Sequence, residues 1–340
     1  MNILQVGLGN FGLNHLRAWH ELGFGETLYI AELNPVQHKC ASAYRFPSNR
    51  INPDPMMFWD KAEAVDIVTG TDTHFDLCQK ALLSGKDVFI EKPMTMTLEE
   101  ANRLAELVHK TKRILQVGYY YRYHPVSRYV YEQIRSGRLG RIRYLYGYFM
   151  GFKRPRKDVG VMHTDGIHFI DLFNWFLDGL PVDVYAETRD HFSRGMEDFA
   201  IALFTYPGDI LAKVECGYIQ PGESSDKVVP GAMTTKSIGI VGSEKTLTAD
   251  YEAERVEVFD VHHEMDGGWW RVVNKGSHVP RVGSASTIDL ICAELKEFLS
   301  CTETRETPRA NVETCGVNLA RIIESVHESA RRRSRVLLAR

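Results

Sequence analysis

The segment Gly7-Leu8-Gly9-Asn10-Phe11-Gly12 stands directly behind the apolar run ILQV and ahead of a helical pattern over 11–22, and it constrains the fold more than any other feature. Three glycines in Gly-x-Gly-x-x-Gly order at a strand-to-helix turn have separate tasks. The first permits a tight turn, the second lets the backbone approach a pyrophosphate, and the third lets the helix pack closely on the strand. Unsatisfied N–H groups at the first helical turn, with the positive end of the helix dipole, favour the phosphates. A dinucleotide site made by Gly7, Gly9, Asn10, Phe11 and Gly12 is therefore expected. Glu32 lies 20 positions beyond Gly12, at the end of the second strand. There a carboxylate accepts hydrogen bonds from the adenosine ribose and repels a 2′-phosphate, so NAD is expected over NADP. Its other reading is a solvated strand-end glutamate, and nearby Lys39 and Arg45 soften the preference.

Beyond this turn, strands are predicted at 3–6, 27–31, 64–68, 87–90 and 114–117, and helices at 11–22, 74–84 and 98–110. The last helix opens on a Thr97-x-x-Glu100 capping box. Short apolar strands alternating with helices are the sequence form of a doubly wound parallel sheet covered on both faces. From Gly118 the strands become longer, aromatic and alternating, at 143–151, 199–205, 211–218, 237–241 and 254–259. That texture fits an antiparallel sheet with one face covered, here by helices at 163–177, 286–300 and 312–333. The expected class is α/β, with a dinucleotide-binding domain over 1–118 and an α+β domain with a large open-faced, mainly antiparallel sheet over 119–340. A broad, partly apolar sheet face is usually buried between subunits, so a homodimer or homotetramer is expected. The arginine-rich stretch 330–340 reads as a helix end followed by a short strand or tail.

Charge and cysteine usage exclude several classes. Lysine plus arginine number 41 against 44 acidic residues, a net charge of -3 that gives no general reason to expect nucleic acid or an anionic membrane as partner. No window approaches the ~18 apolar residues of a membrane span and no secretory signal is visible, which makes the cytoplasm the default expectation. Cys40, Cys78, Cys216, Cys292, Cys301 and Cys315 form no Cys-x-x-Cys pair, so they read as buried free thiols, and no metal site is expected.

Two further strand ends carry polar groups where a doubly wound fold places its ligand: Thr69, Thr71 and His74 in one loop, and Glu91, Lys92 and Pro93 in the other. A lysine there can stabilise a developing alkoxide beside a nicotinamide. The same residue also reads as a surface lysine in a turn.

Four segments in order, GLGNFG, Glu91-Lys92-Pro93, GYYYRYHP (118–125) and TDGIHFIDLFNW (164–175), together with the later VGSEKTL, resemble the glucose-fructose oxidoreductase and inositol dehydrogenase family, Gfo/Idh/MocA. The resemblance spans nearly the whole chain. It implies a Rossmann domain followed by an open-faced α/β domain, with a sugar or polyol bound between them over the nicotinamide. It also implies a catalytic Lys92 and a proton-transferring His168, with Gly166 and Asp171 matching the same helix. The family's usual aspartate four positions before the histidine is Thr164 here, and the acid sits one later as Asp165. Residues three or four apart share a helix face, so either Thr164 or Asp165 can assist His168, while Asp165 can equally cap the helix. Arg122, Tyr123 and His124 resemble positions beside the nicotinamide and substrate; Tyr119 and Tyr121 read as packing, and Arg122 can do either.

The loop before that helix carries Lys153, Arg154, Arg156 and Lys157, cations able to meet a diphosphate or simply to face water. His163 reads as structural or substrate-facing, and a zinc role is not expected because His163 and His168 make no helical His-x-x-x-His pair. Three functions stay open. They are a dehydrogenase of a nucleotide-activated sugar, with C3 of UDP-N-acetylglucosamine the foremost candidate; a dehydrogenase or reductase of a free sugar, inositol or sugar acid; and a non-catalytic NAD-sensing regulator.

Overall fold

A computed structural model describes residues 1–338 apart from Arg45 and Pro230. Arg45, expected near Glu32, and the last two residues of the arginine-rich stretch lie outside the described residues. The chain forms two compact units, Met1–Tyr120 with Ala285–Ala320, and Tyr121–Ser284 with Arg321–Arg340.

In the first unit, β1 (Ile3–Val6), β2 (Leu28–Ala31), β3 (Ile51–Asn52), β4 (Ala64–Ile67), β5 (Asp87–Glu91) and β6 (Leu115–Gly118) form a parallel sheet. Their order is β3-β2-β1-β4-β5-β6. Every residue of β1, β4, β5 and β6 is buried, which is why these strands read as mainly apolar runs. The order reverses between β1 and β4, and at such a switch point the strand ends open a crevice for ligand. Helices Asn10–Glu21, His74–Leu83 and Leu98–Thr111 flank the strands. The capping box forms as expected, Glu100 N–H donating to Thr97 Oγ1 at 3.2 Å and Thr97 N–H to the Glu100 carboxylate at 3.3 Å.

Helix Thr287–Thr304 was expected to cover the antiparallel sheet and instead belongs to this unit. Its Ile291, Leu295 and Phe298 enter one buried cluster with Leu16, Trp19 and Phe89. Helical periodicity reveals an apolar face but not which sheet receives it. Val117 N–H donates to Ala310 O at 2.8 Å, so the following segment extends beside β6.

The second unit is built on β7 (Ile142–Phe152), β8 (Asp183–Arg189), β9 (Phe199–Tyr206), β10 (Ile210–Gly217), β11 (Ser224–Ser225), β12 (Met233–Gly242), β13 (Thr246–Asp250), β14 (Arg255–Asp266), β15 (Trp269–His278) and β16 (Val336–Leu337). The order is β15-β14-β13-β12-β7-β10-β9-β8-β16, with β11 on β12. The β7–β10 pair is parallel and the other pairs are antiparallel. Residues of β9 alternate strictly between half-buried and buried, the mark of a sheet with one covered face. Helix Ile167–Leu177 supplies cover, with Phe169 against Phe149 of β7 at 6.0 Å. At the opposite edge β15 is exposed along almost its whole length.

No helix among the described residues is long and apolar enough to cross a membrane. All six cysteines are free; Cys40 and Cys292 are half-buried rather than buried.

Candidate active site

In the first unit the glycine turn meets its steric requirements. Gly7 has φ +101°, and a Cβ there would lie 2.4 Å from Val68 O. Gly12 packs on the turn so closely that a Cβ would come within 2.5 Å of Gly7 O. Gln5 Nε2, inside the otherwise apolar β1, donates to Gly7 O at 2.9 Å and Gly12 O at 2.8 Å and holds the turn from beneath. Gly9 precedes helix Asn10–Glu21, which has no side-chain cap and no acid in its first turn, and a Cβ on Gly9 would meet nothing within 4 Å. An uncapped, acid-free helix start beside open space fits the pyrophosphate of a dinucleotide. Glu32 accepts from Leu8 N–H at 2.6 Å and Asn34 N–H at 2.7 Å, which fixes its carboxylate at the end of β2 with acceptor capacity left for ribose hydroxyls. Asn10 is exposed, and Phe11 lies against His15 and Tyr120, ring centroids 5.4 and 6.0 Å away.

At the neighbouring strand ends, Thr69 and Thr73 share a hydroxyl hydrogen bond of 2.6 Å and Thr71 is buried. The buried His74 imidazole reaches Pro93 O at 2.9 Å and Thr69 O at 3.3 Å, so it joins the two strand-end loops. Lys92 is half-buried, its peptide to Pro93 is cis, and its N–H donates to Glu91 Oε2 at 3.2 Å.

Beneath Glu91 lies a polar network that sequence reasoning missed. His15 Nδ1 meets Asp66 Oδ2 at 2.9 Å and Nε2 meets Glu91 Oε1 at 3.2 Å, while Trp19 Nε1 donates to Asp66 Oδ2 at 2.7 Å. Burial alone would lower the pKa of His15; Asp66 and Glu91 outweigh it and raise the imidazole to about 10, so it is a cation held between carboxylates. Burial, with the Glu91 charge added, pushes the buried Glu294 well above the carboxylate range and keeps it neutral. The signal was present: Gln5 and Asp66 are polar residues in the middle of the buried strands ILQV and AVDI.

In the second unit a π-helical turn, Met162–Gly166, leads into helix Ile167–Leu177. A π-helical turn thus replaces the first turn of the α-helix expected from 163. His168 is buried and meets the Tyr121 ring edge-on at 4.9 Å. Thr164 Oγ1 lies 2.5 Å from Tyr218 Oη and 3.3 Å from Val161 O. Burial raises Tyr218, so the phenol is neutral and shares a hydrogen bond with the Thr164 hydroxyl in which either can donate. Asp165 is buried, with Oδ1 paired to Lys153 Nζ, while Oδ2 finds no hydrogen-bond partner among the described residues. Lys153 also stands 4.4 Å over the Phe149 ring.

The remaining candidates have partners of their own, and His124 shares the Tyr121 ring with His168, at 6.1 and 4.9 Å. Arg122 grips Asp171 bidentately, at 2.8 and 2.7 Å, and its charge is matched there. His124 caps helix Pro125–Arg135, Nδ1 accepting from Val126 N–H at 3.2 Å; burial lowers it to about 4, so it is neutral and free to accept. His163 lies against His327, ring centroids 5.4 Å apart. Of the basic loop, Arg156 pairs with Asp158, and Arg154 and Lys157 are exposed.

The family model described as oxidoreductase family, NAD-binding Rossmann fold, matches residues 1–119, and the GFO/IDH/MocA C-terminal domain matches residues 127–248. The scyllo-inositol 2-dehydrogenase (NAD(+)) of Bacillus subtilis (strain 168) is 38% identical over 263 residues, 72% of this chain and 69% of that protein. The chain belongs to the Gfo/Idh/MocA oxidoreductase family. Another relative is the UDP-N-acetylglucosamine 3-dehydrogenase of Acidithiobacillus ferrooxidans (strain ATCC 23270), 28% identical over 186 residues, 54% of this chain and 58% of that one. Levoglucosan dehydrogenase, solved in complex with NADH and L-sorbose, shares the fold at TM-score 0.82 and 19% identity, covering 100% of this chain and 99% of its own. This Gfo/Idh/MocA oxidoreductase thus carries an NAD-binding Rossmann domain on β1–β6, and the glycine turn with Glu32 holds the groups that suit that cofactor.

Proposed function

We propose that the protein is an NAD-dependent dehydrogenase that oxidises a secondary hydroxyl of a sugar or polyol. The observation that carries this reading is Asp165. One oxygen of its buried carboxylate is held by Lys153 and the other has no hydrogen-bond partner among the described residues, three positions before the buried His168. A buried acceptor of this kind is costly unless a ligand hydroxyl completes it, and a polyhydroxylated substrate does so. His168 takes the proton of the reacting hydroxyl, a task suited to an imidazole whose ordinary pKa is about 6.5. Lys92 stabilises the negative charge that develops on that oxygen. Bound NAD supplies the hydride acceptor. Asp165 positions the substrate, whereas Thr164, engaged with Tyr218 and Val161, serves the shape of the π turn.

A nucleotide-linked substrate such as UDP-N-acetylglucosamine, oxidised at C3, is the finer reading, supported by the basic loop and by the similarity to the enzyme of that name. Against it, Lys153 is matched by Asp165 and Arg156 by Asp158, which leaves exposed Arg154 and Lys157 as the loop's cations for a diphosphate. The ion-paired loop therefore favours a free polyol or sugar. NADH formation with UDP-N-acetylglucosamine, free N-acetylglucosamine and myo-inositol separates the two readings. His168→Ala and Lys92→Ala are each expected to lower single-turnover NADH formation at least ~100-fold; full activity in both variants overturns the assignment, and absence of turnover with every substrate favours the regulator.

A homo-oligomer remains part of the reading, supported by the exposed β15 with Trp269 and Trp270. Sedimentation equilibrium measures it, and a monomer at micromolar concentration counts against it.

A further inference from the structure

His163, Glu197 and His327 bring two imidazoles and a carboxylate to one place in the second unit. One ligand atom from each lies within 4.8 Å of the others, and His327 Nε2 is 3.3 Å from Glu197 Oε1. The three come from separate segments: the π turn, the turn ahead of β9 and helix Asn318–Arg332. Glu197 is held in position. Met162 N–H donates to its Oε1 at 3.1 Å, and Gly160 makes room for it, since a Cβ there would lie 2.1 Å from the Glu197 carboxyl carbon.

An ion pair needs only one imidazole; the second histidine within reach of the same carboxylate brings three groups of metal-ligand type to one place. Two neutral imidazoles and one carboxylate suit a borderline divalent ion, with bonds of about 2.0–2.2 Å. Tetrahedral ligands at that radius are ~3.4 Å apart. The 3.3 Å pair already has this spacing, and the third group lies within 4.8 Å of both. We infer that His163, Glu197 and His327 bind a divalent first-row transition ion, zinc foremost, as a clamp joining the π turn to the final helix. The remaining coordination position takes water. His168, five residues after His163, is outside the cluster, so the ion holds the segment in place and does not enter the reaction. No sequence spacing announced the site, because its ligands are 34 and 130 residues apart.

The test uses full-length protein stripped with a chelator and titrated with zinc chloride by calorimetry, alongside His327→Ala and His327→Gln. Wild type is expected to bind one zinc per chain, to gain about 5 °C in Tm at saturation, and to show intense visible absorption when cobalt(II) replaces zinc. Both variants are expected to bind zinc at least ~10-fold more weakly and to lose the Tm gain. Zinc binding that is absent, or equal in wild type and a folded variant, overturns the inference and leaves an ion pair. Should neither variant fold, the cobalt spectrum of wild type decides: weak octahedral absorption overturns the site, intense four-coordinate absorption supports it.

Discussion

At the scale of single residues, the network under Glu91 makes the first unit sensitive to alkali. A histidine whose folded pKa is raised from 6.5 to about 10 contributes fully below pH 6.5, and the contribution is lost as pH rises toward 10. Glu294 acts in the same direction: a carboxyl kept neutral in the fold costs stability once the unfolded chain can release its proton, above about pH 4.5. Glutamine has the same shape and no proton to hold. Glu294→Gln is therefore expected to flatten the fall in stability above neutral pH, by up to ~1.4 kcal/mol per pH unit where the wild-type residue stays protonated. Urea midpoints for both proteins at pH 6, 7, 8 and 9 measure the difference; parallel curves would mean that Glu294 is ionised in the fold.

At the scale of elements, the chain announces some features openly and conceals others for physical reasons. Strands β1, β2, β4, β5 and β6 were legible because burial keeps them mostly apolar, even with Gln5, Asp66 and Gln116 inside them. The π turn was not, since Met162–Gly166 has no composition that separates it from an α-helix. His163, Lys153 and Arg122 drew attention in the sequence as polar candidates, but the groups they meet, Glu197, Asp165 and Asp171, are set by folding rather than by spacing. Strand β15 escaped for the opposite reason: it is so exposed that no apolar/polar alternation marks it. An edge strand with Trp269 81% and Trp270 64% exposed is a poor surface to leave in water. Trp269→Lys with Trp270→Lys is expected to shift the sedimentation profile toward monomer while leaving far-ultraviolet circular dichroism unchanged. If the double variant keeps the wild-type mass, assembly uses another face.

At the scale of the whole molecule, the two units carry opposite pH liabilities. His124 in the second unit has its pKa lowered from 6.5 to about 4 by burial, so its contribution is present above pH 6.5 and is lost as pH falls toward 4. His15 in the first unit behaves in the reverse sense. The first unit is also discontinuous in sequence, since Ala285–Ala320 returns to complete what Met1–Tyr120 began. A ribosome that has released residues 1–284 has delivered every strand of the NAD-binding sheet, yet Leu16, Trp19 and Phe89 still wait for Ile291, Leu295 and Phe298. A chain stopped at Ser284 is expected to be cut by protease within its first 120 residues, and one that includes 285–320 to resist there; equal resistance would show that the sheet closes without the returning helix. Synthesis order thus makes the dinucleotide fold, first to be translated, the last part of the first unit's core to be sealed, and a chaperone that shields residues 1–120 would have most of the chain's translation time in which to act.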